Sequence, residues 1–177
     1  MLKKGISIVI LMIAVSIMAI ILLSIYPLWS TAMKREREKE LIFRGSQYVE
    51  AIRIYQIKNP GKFPSSLDEL LKQKCIRKLY KDPTNNSSGW DLIVIPSKIE
   101  VSKQALRSLL IISNKYLKYY RDVPQIIGVV SSNPEKSIKI YDKAEHYNKW
   151  FFYYGKKQDE TVKMEYFKPE KAGENEK

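Results

Sequence analysis

The feature that most constrains this chain is an apolar stretch near its start. From Gly5 to Met33 no side chain carries a charge, and Ile6 to Leu28 is an almost unbroken run of Ile, Leu, Val, Met and Ala. At ~1.5 Å rise per residue, about 23 helical residues cover roughly 35 Å, enough to cross a bilayer core of about 30 Å. The stretch exceeds the ~7–15 residues of a secretory signal's apolar region, and Pro27-Leu28-Trp29-Ser30-Thr31-Ala32-Met33 makes a poor small-residue cleavage site. The reading is a single-pass anchor. Lys3 and Lys4 stay on the cytoplasmic side by the positive-inside rule, and the remainder lies outside the membrane. Tyr26 and Trp29 fall where aromatic rings sit between lipid tails and headgroups. Pro27 cannot donate a backbone hydrogen bond and is expected to kink the helix.

Beyond Pro27 the helical pattern resumes. Leu41, Gly45, Tyr48, Ile52 and Tyr55 recur at steps of four and three, with Ile42 and Val49 widening the stripe, so this half has one apolar face to pack. The expectation is a helix from about Ile6 to Ile57, roughly 78 Å long. Asn59-Pro60-Gly61 ends it. Ser65 or Ser66 then caps a short helix, with Asp68 or Glu69 completing a capping box and Leu67, Leu70 and Leu71 on one side. Phe63 reads as an apolar plug. Trp90–Ile95, Ile126–Val130, Ser137–Tyr141 and Trp150–Tyr154 read as strands. Leu106, Leu109, Leu110, Ser113 and Leu117 have helical spacing, so Lys103–Tyr120 reads as an inserted amphipathic helix or a mobile loop. The segment from Lys168 reads as a disordered tail.

The 177 residues carry a net charge of +12. Setting Lys3 and Lys4 aside leaves 29 basic against 19 acidic residues, a net +10. The charges are interspersed, which points to a solvated surface, and nucleic acid is not the expected partner. Cys75 and His146 are each the sole residue of their type, which excludes an internal disulfide and a Cys/His zinc cluster. The chain has no nucleotide-binding glycine loop and no nucleophile elbow, and its paired carboxylates fall on expected helix surfaces. It therefore reads as non-catalytic and without a cofactor. The one metal considered is calcium, with Asp82, Asn85 and Asp91 as oxygen donors, although their spacing reproduces no standard ligand loop.

A basic pair, a glycine, about twenty apolar residues and a proline resemble the class III signal of type IV pilins and type II secretion pseudopilins. The stretches 35–55 and 65–71, Pro60-Gly61-Lys62-Phe63-Pro64, 77–83, 127–131 and 147–152 are similar to a subgroup of pseudopilin-like secretion proteins. The resemblance implies an α+β, pilin-like fold: a long N-terminal helix packed on a small antiparallel sheet domain. It divides the chain into a prepilin-type leader (1–5), the transmembrane half of the helix (6–33), its outer half (34–58), a globular domain (59–167) and the tail (168–177). It implies cleavage by prepilin peptidase after Gly5 and methylation of Ile6. The implied partners are other pilin or pseudopilin subunits, an inner-membrane platform protein and a cytoplasmic assembly ATPase. The implied location is the bacterial inner membrane, with the C-terminal domain extracytoplasmic. Most members carry a glutamate five residues after the glycine, and here that position is Ile10. The alternatives are a minor pilin of a DNA-uptake or surface pilus, and a static single-pass scaffold or sensor.

Overall fold

A computed structural model describes residues 2–85, 89–96, 108–120, 123–155 and 162–167, the side chains of 2–5, 23–28, 108 and 118 excepted. The chain divides into two compact units, Met1–Arg37 and Glu38–Lys177. Helix α1 spans Leu2–Lys58. In the first unit its described apolar side chains, from Ile6 to Leu22, are exposed all round, at 54–66% for the large ones. Among the described residues no helix is long and apolar enough to cross a membrane. The described side chains of the apolar run stop at Leu22, and that much helix covers about 25 Å.

In the second unit α1 is one-sided. Leu41, Gly45, Tyr48, Ala51, Ile52 and Tyr55 are buried, and Phe43, Arg53 and Ile57 are exposed. The 3–4 spacing places the buried residues on one face. Asn59 ends the helix, with its amide still bonded to Tyr55 O at 2.8 Å, and Gly61 turns the chain at φ +77°. Helix α2, Leu67–Lys72, starts at Ser66, whose Oγ accepts from the Glu69 amide at 3.2 Å. The Glu69 carboxylate reaches back to Ser65 N at 2.8 Å and Ser65 Oγ at 2.9 Å, so the capping box is shared by two serines.

Strands β1 (Asp91–Ile95), β2 (Ser108–Ile112), β3 (Gln125–Val130), β6 (Phe152–Tyr153) and β7 (Lys163–Tyr166) form one curled sheet in the order β6-β3-β1-β2-β7. Strands β4 (Lys136–Tyr141) and β5 (Ala144–His146) form a separate hairpin. The α+β class is as expected, but the sheet is mixed rather than antiparallel, because β7 runs parallel to β2.

The central strands of the sheet are buried on both faces, while the edge strand β7 is largely exposed. Leu92, Val94, Ile112, Ile126 and Val129 pack with the α1 stripe, Trp90 and Phe152. Ile93, Ile95, Leu109, Ile111, Ile127 and Val130 pack on the other side, with Phe63 and Met164 against them. Phe63, half-buried, touches both clusters. For its described part, 108–120, this arrangement corrects the reading of Lys103–Tyr120 as a helix or mobile loop. Leu109 and Ile111 face one cluster while Leu110 and Ile112 face the other, so the four-residue apolar run is a strand buried on both sides. Residues 97–107 and the expected tail from Lys168 lie outside the described residues.

The pleat changes phase at Gly128. Ile93 pairs with Gly128 and the next residue, Val94, pairs with Ile126, so Ile127 is an extra residue on β3. The bulge puts Ile126 and Val129 on one face and Ile127 and Val130 on the other. A Cβ at Gly128 would collide with the Phe152 carbonyl and with Tyr153.

Candidate interaction site

The second unit carries an open groove of about 490 Å³ beside α1, α2 and the start of β1, lined largely by apolar surface. Its walls include Tyr48, Leu67, Leu79, Tyr80, Trp90 and Tyr120, with Asp68 and Lys81 as its charged members. Local hydrogen bonding fixes the walls. Tyr48, 1% exposed, points its hydroxyl at the backbone of Tyr80, accepting from Tyr80 N at 2.9 Å and donating to Tyr80 O at 2.9 Å. Trp90 Nε1 donates to the same carbonyl at 2.9 Å. Arg44 Nη1 donates to the next carbonyl, Lys81 O, at 2.7 Å, while its Nε pairs with Glu40 at 2.7 Å. Tyr48 meets Tyr80 and Trp90 edge-to-face at 6.4 and 5.8 Å, and Lys78 Nζ sits 5.4 Å from the Tyr80 ring centroid. Burial pushes the Tyr48 phenol up to about 12.

Behind the groove, Tyr55 donates to Glu69 Oε1 at 2.6 Å. That bond lifts the Tyr55 phenol to about 12 and lowers the Glu69 carboxyl. These side chains hold walls in place.

A second polar constellation lies where the 81–85 turn meets the end of β3. Asp82, 2% exposed, accepts from Thr84 N at 2.8 Å and Thr84 Oγ1 at 2.6 Å through one oxygen, and from Ser131 Oγ at 2.6 Å through the other. Asn133 Nδ2 donates to Thr84 O at 3.1 Å, and Asn85 Nδ2 donates to Ser132 Oγ at 3.0 Å. Asp91 Oδ1 accepts from Asn114 N at 3.1 Å, and burial raises its carboxyl above the usual range. Of the three calcium candidates, Asp82 and Asp91 thus accept from protein donors, whereas Asn85 itself donates, to Ser132. Among the described residues no group of three His, Cys, Asp or Glu could hold a metal ion.

Lys3, Lys4 and Gly5 lie within α1, and their side chains are outside the described set. Ile6 is 56% exposed. The helix assignment runs on through Pro27, and a kink there falls outside the described side chains.

Sequence reasoning passed over Glu38. It reads as one charge in a mixed run, yet it is 0% exposed. Its carboxylate accepts from Ile138 N at 2.6 Å, Lys139 N at 3.1 Å and Tyr147 Oη at 2.9 Å. The signal that could have found it is position: Glu38 lies three residues before Leu41, on the same helical face as the buried stripe.

Compared with known protein families, curated proteins and solved structures, the chain matches none.

Proposed function

We propose that this chain is a pilin-like, non-catalytic subunit of a type II secretion or type IV pilus-related filament, held in the bacterial inner membrane by its N-terminal helix. The observation that carries the reading is a contrast within α1. Its first stretch is apolar on every side yet exposed, and its second packs a single stripe into a globular unit. A helix that is apolar all round needs an apolar environment, which lipid and the equivalent stretches of sister subunits both supply. In the sequence the apolar run continues from Leu22 to Leu28, which brings it to the length of a membrane crossing. The mixed sheet and hairpin form the outer body, and the groove beside Tyr48 and Trp90 offers a contact for a neighbouring subunit or a cargo. Energy for assembly comes from a separate ATPase and membrane platform.

Mass spectrometry of the purified protein tests this. A mature N-terminus at N-methylated Ile6 supports the filament-subunit reading. An intact N-terminus at Met1 overturns it in favour of a static single-pass anchor; within the filament-subunit reading, Ile10 in place of a glutamate favours a minor or tip position over the shaft.

A further inference from the structure

We propose that the β4–β5 hairpin, together with the short 3-10 turn Tyr147–Lys149, is a flap that opens from α1 as one piece while the five-stranded sheet stays folded, and that Glu38 holds it shut. This inference concerns the second unit alone and does not depend on how α1 meets a membrane.

Four observations carry it. The hairpin forms its own two-stranded sheet, outside the five-stranded one. A lone two-stranded hairpin is marginal in water. Its apolar contact is confined to the inward Tyr141, Ala144 and buried Tyr147, while Ile138 and Ile140 on β4 are 40% and 69% exposed. Its turn is strained: Asp142 and Lys143 have φ of +51° and +62°, the left-handed region that side chains with a Cβ adopt at a cost. A buried carboxylate, Glu38, ties the hairpin to α1. Ile138 and Lys139 are adjacent, and their amides would point to opposite edges of a regular strand, yet both bond Glu38. The register irregularity between Lys136 and Tyr141 allows this, and Ser137 Oγ, 2.8 Å from Glu145 O, fills the gap it leaves in the ladder. Tyr147, in the following turn, gives Glu38 its third donor. One side chain thus fastens β4 and the turn, while Trp150 Nε1, donating to Ala144 O at 3.1 Å, holds β5.

Opening has a defined consequence. Tyr141 stacks on Trp150 and Phe152 at 5.3 Å each, and it walls a cavity of about 320 Å³ with Val49, Glu50 and Phe151. When the flap swings out, this cavity widens and Trp150 and Phe152 become accessible.

Native-state hydrogen exchange on the full chain in detergent micelles, read on peptides from 136–147 and from β1 and β3, tests the proposal. In the unsubstituted protein, 136–147 should exchange at least about tenfold faster than β1 and β3, with a smaller denaturant dependence. Glu38→Ala should leave 136–147 unprotected while β1 and β3 stay protected. One shared rate and one shared denaturant slope for all these peptides would overturn the flap, and unchanged protection of 136–147 in Glu38→Ala would overturn the latch. Lys143→Gly relaxes the turn and serves where Glu38→Ala does not fold. It should add protection to 136–147, and no gain there would count against the strained flap.

Discussion

The hydroxyl of Tyr48 sits 2.9 Å from both the amide nitrogen and the carbonyl oxygen of Tyr80, joining the C-terminal part of α1 to a segment 32 residues further along. The two bonds are not equivalent. The carbonyl also receives Trp90 Nε1, whereas Tyr48 is the partner seen for the Tyr80 amide. Tyr48→Phe should therefore orphan a donor more than an acceptor and destabilise the second unit by about 1–3 kcal/mol. Urea denaturation measures it, and a loss near zero would show that water replaces the phenol.

The same phenol sets an alkaline limit. In the unfolded chain it ionises near its ordinary value of 10, and in the folded protein near 12. Stability from keeping it neutral is complete below pH 10 and is lost as pH rises toward 12, by roughly 2–3 kcal/mol at most. Tyr55 contributes in the same window and the same direction. Unfolding free energies measured from pH 9 to 12 should fall for the unsubstituted protein, and more gently for Tyr48→Phe.

Asp91 should behave in the opposite sense to a salt-bridged aspartate. Its raised carboxyl means that the folded state favours the proton, so ionisation at neutral pH weakens the fold. Asp91→Asn keeps an acceptor for the Asn114 amide. It should raise the midpoint of thermal unfolding at pH 7, with the gain shrinking as pH falls through the acid range. Equal midpoints at pH 7 would remove the argument.

Gly45 faces the ring of Phe152, and a Cβ there would collide with its Cγ, Cδ1 and Cδ2. Gly45→Ala gains up to about 1 kcal/mol of helix propensity but should lose about 1–3 kcal/mol to overpacking, for a net destabilisation. The pairing of Gly45→Ala with Phe152→Leu should recover part of the loss, as a double-mutant cycle would measure.

If α1 inserts in a bilayer, Ile13→Lys places a charge near the centre of its apolar run and should abolish carbonate-resistant membrane association. Retention of that variant in the membrane fraction would refute the anchor.

Much of α1 was legible because a helix writes its buried face into the sequence at a fixed spacing. Leu41, Gly45, Tyr48, Ile52 and Tyr55 were readable for that reason, as was the Ser-Ser-Leu-Asp-Glu start of α2. Strand β2 was not. Leu109 to Ile112 are buried on both sides, and a strand without a wet face shows no alternation to distinguish it from helix. Strand β7, with its charged Lys163 and Glu165, left too little apolar signal, and β5 is three residues long. The groove escaped notice because Tyr80 and Tyr120 come from irregular segments that only the folded chain brings beside α1. Glu38 escaped because charge suggests solvent, and nothing local tells of amides arriving from a hundred residues away.

The phase change at Gly128 lets a single strand send its branched side chains into two separate interiors. Strands β1 and β3 therefore turn almost no side chain to the outside. A partner of this body would meet the outward side of α1, the turns around the groove, the ridge of the hairpin and the exposed edge at β7. Recognition at such places is set by a few protruding side chains, so a new partner could be accommodated there with the interior left as it is.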